Sequence, residues 1–396
     1  MGLRISHASH VTLVVLLLGG WHAAHAQELS GAAPPASIPT FSTDHIARQG
    51  FFYVGGEYVG EPGKQVMVGA MYVEVMVPRQ IRRRYPLVMI HGSGLTGTSW
   101  LQTPDGREGW AHYFVRQGYV VYVVDTPTRG RSGHVPGVNG PLTVRTVPQM
   151  ESFSNPAQAG EYPQAKAFSQ WPSDAPKRGT MGDPVFDAFA RAHVSSAGRE
   201  VSDLSRAAFT ALLERIGPSM LLTHQQGGSF AWATANSRPD LVKAIISVDP
   251  PGPPIRDADV ARMTYRTQVI PDTHVWGPTW QPLRYDPPIG DPSELQPVLQ
   301  EKPSGPNLLP CWRQTEPAHK LTHLQAMRVL ILSGEASFRR PYVHCNGEWL
   351  NQAGVKTDFV GLESVGIRGN GHLPMIEKNS LEIAKFVDGW LQSNVR

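Results

Sequence analysis

The stretch Met220-Leu221-Leu222-Thr223-His224-Gln225-Gln226-Gly227-Gly228-Ser229-Phe230 decides how the rest of the chain is interpreted. Its first residues form a short apolar run typical of a buried strand, and two glycines precede the start of a helical pattern. This arrangement predicts a nucleophile elbow, a strained strand-to-helix turn that lifts one side chain above a sheet. The residue at the tip lies two positions before the first glycine, so it is Gln225. Enzymes with this turn place Ser, Cys or Asp there, whereas a carboxamide is not a nucleophile.

Length and composition exclude several classes of protein. The chain has 396 residues, and its 35 prolines and 39 glycines favour a loop-rich fold over a helical bundle. Length alone suggests two or three domains, although large α/β enzymes often reach this size as one domain with insertions. The formal net charge of +3 is small and is spread without basic blocks, so we expect no nucleic-acid partner.

The N-terminus has the pattern of a secretory signal. Arg4 precedes an apolar run at residues 11–21, and Ala24-His25-Ala26 follows as a cleavage site of small residues. We therefore predict a signal peptide at residues 1–26 and an exported protein, periplasmic or secreted, with no membrane attachment after cleavage. An uncleaved anchor is the alternative, but the run is short for a bilayer span. Residues 27–50, rich in Ala, Pro and Ser, are predicted to form a loosely held arm.

The chain contains two cysteines, Cys311 and Cys345. Export makes a disulfide between them the preferred interpretation, with two separate buried thiols as the alternative. A metal site is less favoured, because neither cysteine lies in a C-x-x-C pair.

Residues 51–396 are predicted to form an α/β domain whose mostly parallel sheet is covered by helices on both faces. The predicted strands are residues 51–56, 66–77, 86–90, 119–124, 220–224, 241–248, 329–332 and 356–360, and the predicted helices are residues 110–117, 199–215 and 381–391. The early strands are expected to be antiparallel. In such sheets ligands bind beyond the carboxyl ends of the strands.

Two long segments, at about 131–198 and 250–325, interrupt this alternation. Both lack sustained periodicity, and loops of this length in a compact domain are usually functional lids or disordered. They contain Trp171, Trp276, Trp280 and Trp312, so we expect an ordered, Trp-rich cap over the site and a ligand that is bulky and partly apolar.

The glycine-rich stretch His91-Gly92-Ser93-Gly94-Leu95-Thr96-Gly97 has two interpretations. Its glycines match G-x-G-x-x-G, and Asp125 ends the next strand, as in a dinucleotide-binding motif. That motif needs a helix at the glycines, whereas the residues that follow here have the composition of a loop. We therefore prefer an oxyanion loop, in which Gly92, Ser93, Gly94 and Leu95 present backbone amides toward the elbow.

The base is predicted to be His372, which follows the last strand in a glycine-rich loop just before the closing helix. This is the chain position of a triad histidine in the order nucleophile, acid, histidine. The acid has two candidates, Asp249 and Glu335, which follow successive strands, and Asp249 is preferred.

With these residues the chain resembles the secreted bacterial α/β-hydrolase esterases related to the Alcaligenes esterase. The resemblance covers nearly all residues from Phe51 onward. It is carried by His91-Gly92, Leu95-Thr96-Gly97, Thr103-Pro104-Asp105-Gly106-Arg107, Gly130-Arg131-Ser132, Gly182-Asp183-Pro184, Thr223-His224, Gln226-Gly227-Gly228 and Gly369-Asn370-Gly371-His372. It implies an α/β-hydrolase fold and ester hydrolysis through a seryl acyl-enzyme, with the acid at Asp249, where a glutamate is more usual. The chain departs from the family at Gln225, where the motif has serine, and at Ser93-Gly94, where some relatives have adjacent cysteines.

Three accounts of Gln225 remain open. The chain is an esterase-type hydrolase of a carboxylic ester or lactone in which His372 activates water, or a ligand-binding homologue without catalysis, or an altered or engineered form of a normal serine esterase. Ser93 and Ser229 are poor substitutes, because one lies in the oxyanion loop and the other a helical turn past the tip. We expect Gln225, His372 and Asp249 at the centre, Gln226 among the oxyanion and binding residues, a small-molecule ester-like ligand, and no cofactor or metal. A homodimer stays open.

Overall fold

The structure, a computed structural model, describes residues 34–35, 37–198 and 201–395. The predicted signal peptide and its cleavage site lie outside these residues. The chain divides into a unit up to Phe41 and a second unit from Ser42 to Arg396. All elements below belong to the second unit.

The second unit contains an eight-stranded sheet whose strands were largely predicted from apolar runs. Its strands are β1 (Ile46–Val54), β4 (Met71–Pro78), β5 (Leu87–Ile90), β6 (Val121–Asp125), β7 (Ser219–His224), β8 (Val242–Val248), β13 (Arg328–Ser333) and β14 (Thr357–Gly361). The remaining strands form two-stranded pairs: β2 (Glu57–Val59) with β3 (Val66–Val68), β9 (Ala258–Asp259) with β10 (Thr264–Tyr265), and β11 (Pro297–Leu299) with β12 (Trp312–Gln314).

The strand order in the sheet is β1-β4-β6-β5-β7-β8-β13-β14. The β1–β4 and β4–β6 pairs are antiparallel, and every later pair is parallel, which confirms an antiparallel opening on a mostly parallel sheet. β1 begins at Ile46, five residues before the predicted start, so residues 46–50 pair with β4 instead of forming part of an arm. Pairing with β4 overrides the weak strand propensity of this polar segment.

Helices pack on both faces of the sheet. They are α1 (Thr98–Leu101), α2 (Trp110–Arg116), α3 (Val147–Ser154), α4 (Pro156–Ala159), α5 (Pro184–Arg191), α6 (Ser202–Ile216), α7 (Gly227–Ser237), α8 (His344–Gln352) and α9 (Ser380–Asn394). Short 3₁₀ helices span Pro163–Ala167, Pro292–Leu295, Thr322–Leu324 and Leu362–Val365. None of the helices in the described part of the chain combines the length and apolar character that a bilayer span requires.

The core lies in two layers, one on each side of the sheet. In β5, Val88 and Ile90 belong to one apolar cluster and Leu87 and Met89 to the other, so alternate side chains fill opposite faces. Burial on both faces explains why the central strands are continuous apolar runs in the sequence. Parallel pairing brings the carboxyl ends of β5, β7, β8 and β13 to one edge, where the candidate site lies.

Candidate active site

The turn after β7 has the predicted shape. β7 ends at His224, Gln225 has a positive φ of 48°, and α7 starts at Gly227. The amide of Gln225 donates to Val248 O at 3.1 Å, which extends the β7–β8 ladder by one bond. Gly227 lies so close to β5 that a Cβ there would be 2.9 Å from His91 O. The turn therefore holds Gln225 at its tip, directly above the sheet edge.

The loop after β5 contacts the side chain of Gln225. The Ser93 amide donates to Gln225 Oε1 at 2.5 Å. Gly92 allows this approach, because a Cβ at Gly92 would lie 3.0 Å from both Cβ and Oε1 of Gln225. Gly94 has a φ of 76°, and the Leu95 amide closes the loop on Gly92 O at 3.2 Å. The loop thus presents one backbone amide to the residue at the tip, and the carboxamide oxygen occupies that donor.

His372 forms a buried pair with Asp249. His372 Nδ1 lies 2.5 Å from Asp249 Oδ2, and both side chains are almost fully buried. Asp249 follows β8 with a φ of 48°, and its amide donates to Leu332 O at 2.7 Å. Two hydroxyl groups also bond the Asp249 carboxylate: Ser333 Oγ donates to Oδ1 at 2.7 Å and Ser337 Oγ donates to Oδ2 at 2.5 Å. The acid is therefore held in place on both oxygens and orients the imidazole.

Glu335, the alternative acid, has a different role. Its carboxylate accepts from the Gly369 amide at 2.9 Å and from Arg368 Nη1 at 3.2 Å. It therefore braces the glycine-rich loop that carries His372 and does not bond the imidazole. The contacts therefore agree with the sequence-based preference for Asp249 over Glu335.

Burial lowers the pKa of His372, and the hydrogen bond and charge of Asp249 oppose this shift. Arg339 and Arg145 lower the pKa further through their positive charge. The imidazole is therefore neutral near pH 7 and able to accept a proton. Phe153 and Phe338 flank the ring, with centroids 5.1 and 4.7 Å from its own.

A cavity of about 350 Å³ opens beside Gln225. Residues from both inserted segments line it, together with Ser93, Gln226 and Arg339. Of the four tryptophans expected to cover the site, one lines this cavity, Trp280, whose indole N–H donates to Ser202 Oγ at 2.9 Å. Trp171 is instead buried and donates to Asp183, and Trp276 and Trp312 pack on an apolar core. The residues that line the cavity are mostly polar, which gives no support to the expected bulky, partly apolar ligand.

The residues of the dinucleotide-like pattern, Gly97 and Asp125, bond each other and other residues of the chain. The Gly97 amide donates to Asp125 Oδ1 at 2.7 Å, and Arg131 donates to Asp125 Oδ2 through its amide and Nε, both at 2.8 Å. A four-residue helix, α1, follows Gly97 where the sequence predicted a loop, because Thr96 and Gly97 accept the first turn's amides. His91 accepts from the Thr126 amide at 3.0 Å, and burial lowers its pKa to about 4. Asp125 and His91 thus fix the loop.

The other serines contact different partners. Ser229 is fully buried, and its Oγ lies 3.3 Å from His274 Nε2 rather than from His372. Ser93 Oγ lies 3.2 Å from Ser196 Oγ. Neither of these contacts involves His372 or Asp249.

The predicted disulfide is confirmed, with Cys311 and Cys345 Cα atoms 5.1 Å apart. Together with His344 these cysteines form the one cluster of potential metal ligands found in the described part of the chain. Thiolates are the metal-binding form of cysteine, so the disulfide leaves this cluster unsuited to a metal.

Several site residues have no signal in the sequence. Ser333, the last residue of β13, and Ser337 hold Asp249. Arg145 and Arg339 line the cavity, and Ser337 and both arginines come from segments without periodicity. Gln226 was predicted among the oxyanion and binding residues, and its side-chain oxygen accepts from Arg129 Nη2 at 2.8 Å. The only sequence hint for Arg339 is its position six residues after the end of β13, on the edge where ligands bind.

Comparison with known proteins places this geometry in context. No family model matches the chain. The probable secreted lipase phiG from a fungal species (strain ATCC 74256) is 40% identical over 345 residues, which cover 86% of this chain and 89% of the relative. A solved structure of a novel bacterial esterase is 22% identical with a TM-score of 0.59, and the match covers 92% of this chain and 99% of that one. This likeness shows an α/β-hydrolase fold.

Proposed function

Because the chain belongs to the family of the probable secreted lipase phiG, we propose that it is an exported hydrolase of a carboxylic ester or lactone that works without a seryl acyl-enzyme. Gln225 stands at the position of the missing nucleophile, His372 is the general base, and Asp249 orients it. Ser93 is proposed to supply the oxyanion donor, within a loop shaped by Gly92, Gly94 and Leu95.

The observation that carries this proposal is the buried His372–Asp249 pair. A histidine whose Nδ1 is held by a carboxylate presents Nε2 as the proton-accepting atom. Here the carboxylate is itself held by Ser333 and Ser337 at 2.7 and 2.5 Å. Together these three hydrogen bonds fix the tautomer and orientation of one imidazole, as a general base requires.

In the proposed reaction, His372 Nε2 takes a proton from water as the hydroxide oxygen bonds to the ester carbonyl carbon. The carbonyl π electrons move to the oxygen, which the Ser93 amide stabilises. The tetrahedral intermediate then expels the alkoxide, which receives the proton from His372. The products are a carboxylic acid and an alcohol. Gln225 must turn away from Ser93 for the substrate oxygen to bond there, since its own Oε1 takes that donor at 2.5 Å.

The same contact favours a second function, ligand binding without catalysis. A carboxamide bonded to the oxyanion donor blocks the place where a substrate carbonyl would be polarised. A protein in this state binds ligands in the cavity and leaves their esters intact.

Hydrolysis measured on a panel of aryl esters and lactones separates the two functions. The hydrolase should show turnover that His372→Ala reduces to background, with no covalent adduct in mass spectra and no labelling by a fluorophosphonate at residue 225. Glu335→Gln is the matched control, since it alters a carboxylate that braces the loop without bonding the base. A parent protein that binds ligands but is inert on the whole panel would rule out the hydrolase and support the binder.

We also propose that the protein is exported and that its two inserted segments belong to one catalytic domain. The relative's name describes a secreted protein, which supports export of this chain. We propose that the signal peptide is removed after Ala26 and that residues 131–198 and 250–325 form the cap of one catalytic domain. N-terminal sequencing of the exported protein tests the cleavage site.

A further inference from the structure

Three arginines near Gln225 and Gln226 form no ion pair with an acidic residue of the described chain. Arg129 and Arg339 are the two arginines that are buried there, and Arg145 is half-buried. By contrast, Arg131 and Arg340 pair with carboxylates. Arg129 is fully buried and donates only to neutral oxygens, at 2.8 Å to Gln226 Oε1, 3.0 Å to Ala197 O and 3.4 Å to Gly92 O. A positive charge removed from water without a counter-charge is costly, so these residues call for an external anion.

Two of these arginines line the cavity. Arg339 is 6% exposed, and its Nε and Nη1 are buried without a hydrogen-bond partner. Arg145 also lines the cavity, and its Nε is buried without a partner. A guanidinium offers five N–H groups in a planar fork that fits a carboxylate, and in both arginines some of these groups have no protein oxygen to bond.

Both guanidinium groups lie next to the catalytic centre. Arg145 is 5.1 Å from the ring centre of Phe153, and Arg339 is 5.2 Å from that of Phe338, the two rings that flank His372. On its other side, Arg145 packs against the oxyanion loop, since a Cβ at Gly94 would lie 3.2 Å from its Nε. The two charges are thus held at the mouth of the site.

The two arginines also repel each other. Burial, and then the charge of Arg339, lower the pKa of Arg145. Asp257 and Asp272 line the same cavity, and Asp257 accepts a hydrogen bond from the Thr273 hydroxyl. Asp257 forms no ion pair with Arg145 or Arg339 in the part of the chain that the structure describes.

We propose that the cavity beside Gln225 is a carboxylate-binding subsite, in which Arg145 and Arg339 hold the free acid group of the ligand. The ligand class is then a half-ester or lactone acid that carries one anionic carboxylate a few bonds from the carbonyl. The ester part of this assignment rests on the proposed function, whereas the carboxylate part does not. The volume of about 350 Å³ suits such a small molecule.

Calorimetry with two probes of the same shape tests the subsite. N-phenylsuccinamic acid carries the carboxylate, and N-phenylsuccinamide replaces it with a neutral carboxamide; both resist hydrolysis. The parent protein should bind the acid at least about tenfold more tightly than the amide at pH 7, with a difference that shrinks as salt is raised. Arg339→Met and Arg145→Met should each weaken binding of the acid by about tenfold or more and leave the amide nearly unchanged.

Arg262→Met is the control, because Arg262 is exposed and paired with Asp259 outside the cavity. Arg145→Gln, at a half-exposed position, serves if the buried Arg339→Met variant does not fold. Equal affinity for the two probes, or acid binding that survives both arginine substitutions, would overturn the subsite. Charge-dependent binding in a protein that hydrolyses no ester would support the subsite and rule out the proposed hydrolase. Rapid hydrolysis with no preference for half-esters would support the hydrolase and rule out the subsite.

Discussion

At the scale of single residues, the decisive position is Gln225. Its backbone adopts the turn that presents a nucleophile, but its carboxamide oxygen bonds the Ser93 amide at 2.5 Å. The side chain therefore places its carbonyl oxygen against the amide that we propose as the oxyanion donor. If the pair His372–Asp249 is a working base, a hydroxyl at position 225 is what the ordinary serine mechanism lacks.

Gln225→Ser should create or greatly raise hydrolysis of simple aryl esters, with an initial burst from an acyl-enzyme. The gain is expected to reach ~10²-fold or more, since oxyanion donors alone contribute about 10²–10³-fold. Stopped-flow release of 4-nitrophenol measures the burst. Gln225→Ala frees Ser93 without adding a nucleophile and should show no burst, and His372→Ala in the serine background should abolish it. A folded Gln225→Ser protein that stays inert would sink the esterase assignment.

Part of the site could be predicted from the sequence, and part could not. His372 could be located because a triad histidine follows the last strand in a loop before the closing helix. The sequence favours Asp249 but leaves Glu335 open, because both follow parallel strands at the same edge and only tertiary contacts distinguish them. Arg145 and Arg339 were missed because no periodic pattern predicts which residue of a long loop turns toward a cavity.

At the scale of elements, the site depends on how closely α7 approaches β5. The approach is possible because residue 227 has no side chain, and the strand β7, the turn and α7 can then pack beneath the oxyanion loop. The sequence predicted this element from its glycines, since only a strand-to-helix turn of this kind needs two of them after the tip. It did not predict α1, because four residues are too few for a periodic signal.

Gly227→Ala should lower the free energy of unfolding by about 1–3 kcal/mol, because the added methyl would meet backbone and side-chain atoms of Ile90 and His91 at 2.9 Å. Ligand binding should weaken as the oxyanion loop is displaced. Gly389→Ala is the matched control in the exposed part of α9, where a Cβ meets nothing within 4 Å. It should raise the free energy of unfolding by about 0.5–1 kcal/mol. Urea denaturation measures both, and equal effects of the two substitutions would contradict the packing argument.

At the scale of the whole molecule, the disulfide ties the second inserted segment to α8. Replacing Cys311 and Cys345 together by alanine should lower the free energy of unfolding by ~3–4 kcal/mol, since the bridge spans 34 residues. Thermal and urea unfolding of the double variant, compared with oxidised parent protein, measure this loss. The parent protein under reducing conditions is the companion measurement and should lose a similar amount. A change below about 0.5 kcal/mol would show that the loop is held by its other contacts alone.

Buried histidines should make the fold sensitive to acid. Burial lowers the pKa of His91, His112 and His344 to about 4 and that of His274 to about 3. In the unfolded chain these groups take up protons below about pH 6.5, so the unfolded state binds more protons between pH 6.5 and 4. The free energy of unfolding should therefore fall as the pH decreases through that window, by up to about 1.4 kcal/mol per pH unit for each histidine.

Glu377 acts in the opposite direction. Burial raises its pKa from 4.5 to about 7, so its contribution is present at low pH and is lost as the pH rises through 7. Four histidines outweigh one carboxyl group, and the net slope should remain positive with pH. Urea denaturation at pH 7.5, 6.5, 5.5 and 4.5 measures the slope. A free energy of unfolding that stays constant or rises toward pH 4.5 would show that the histidines are charged in the fold.

Gln225 and Asp249 both have left-handed backbone conformations, so the site contains two strained residues. A φ of 48° costs a non-glycine residue about 1 kcal/mol, and in both cases a ladder bond to the next strand clamps the strained amide. Main-chain hydrogen bonds to the neighbouring strands therefore hold both backbones, and these bonds do not involve the side chain at the tip. Gln225→Gly should accordingly raise the free energy of unfolding by about 1 kcal/mol in urea denaturation, whereas a loss of stability would mean that the carboxamide itself holds the turn. A turn that is held by its main-chain hydrogen bonds can carry serine, cysteine or aspartate at position 225 without a change of backbone conformation.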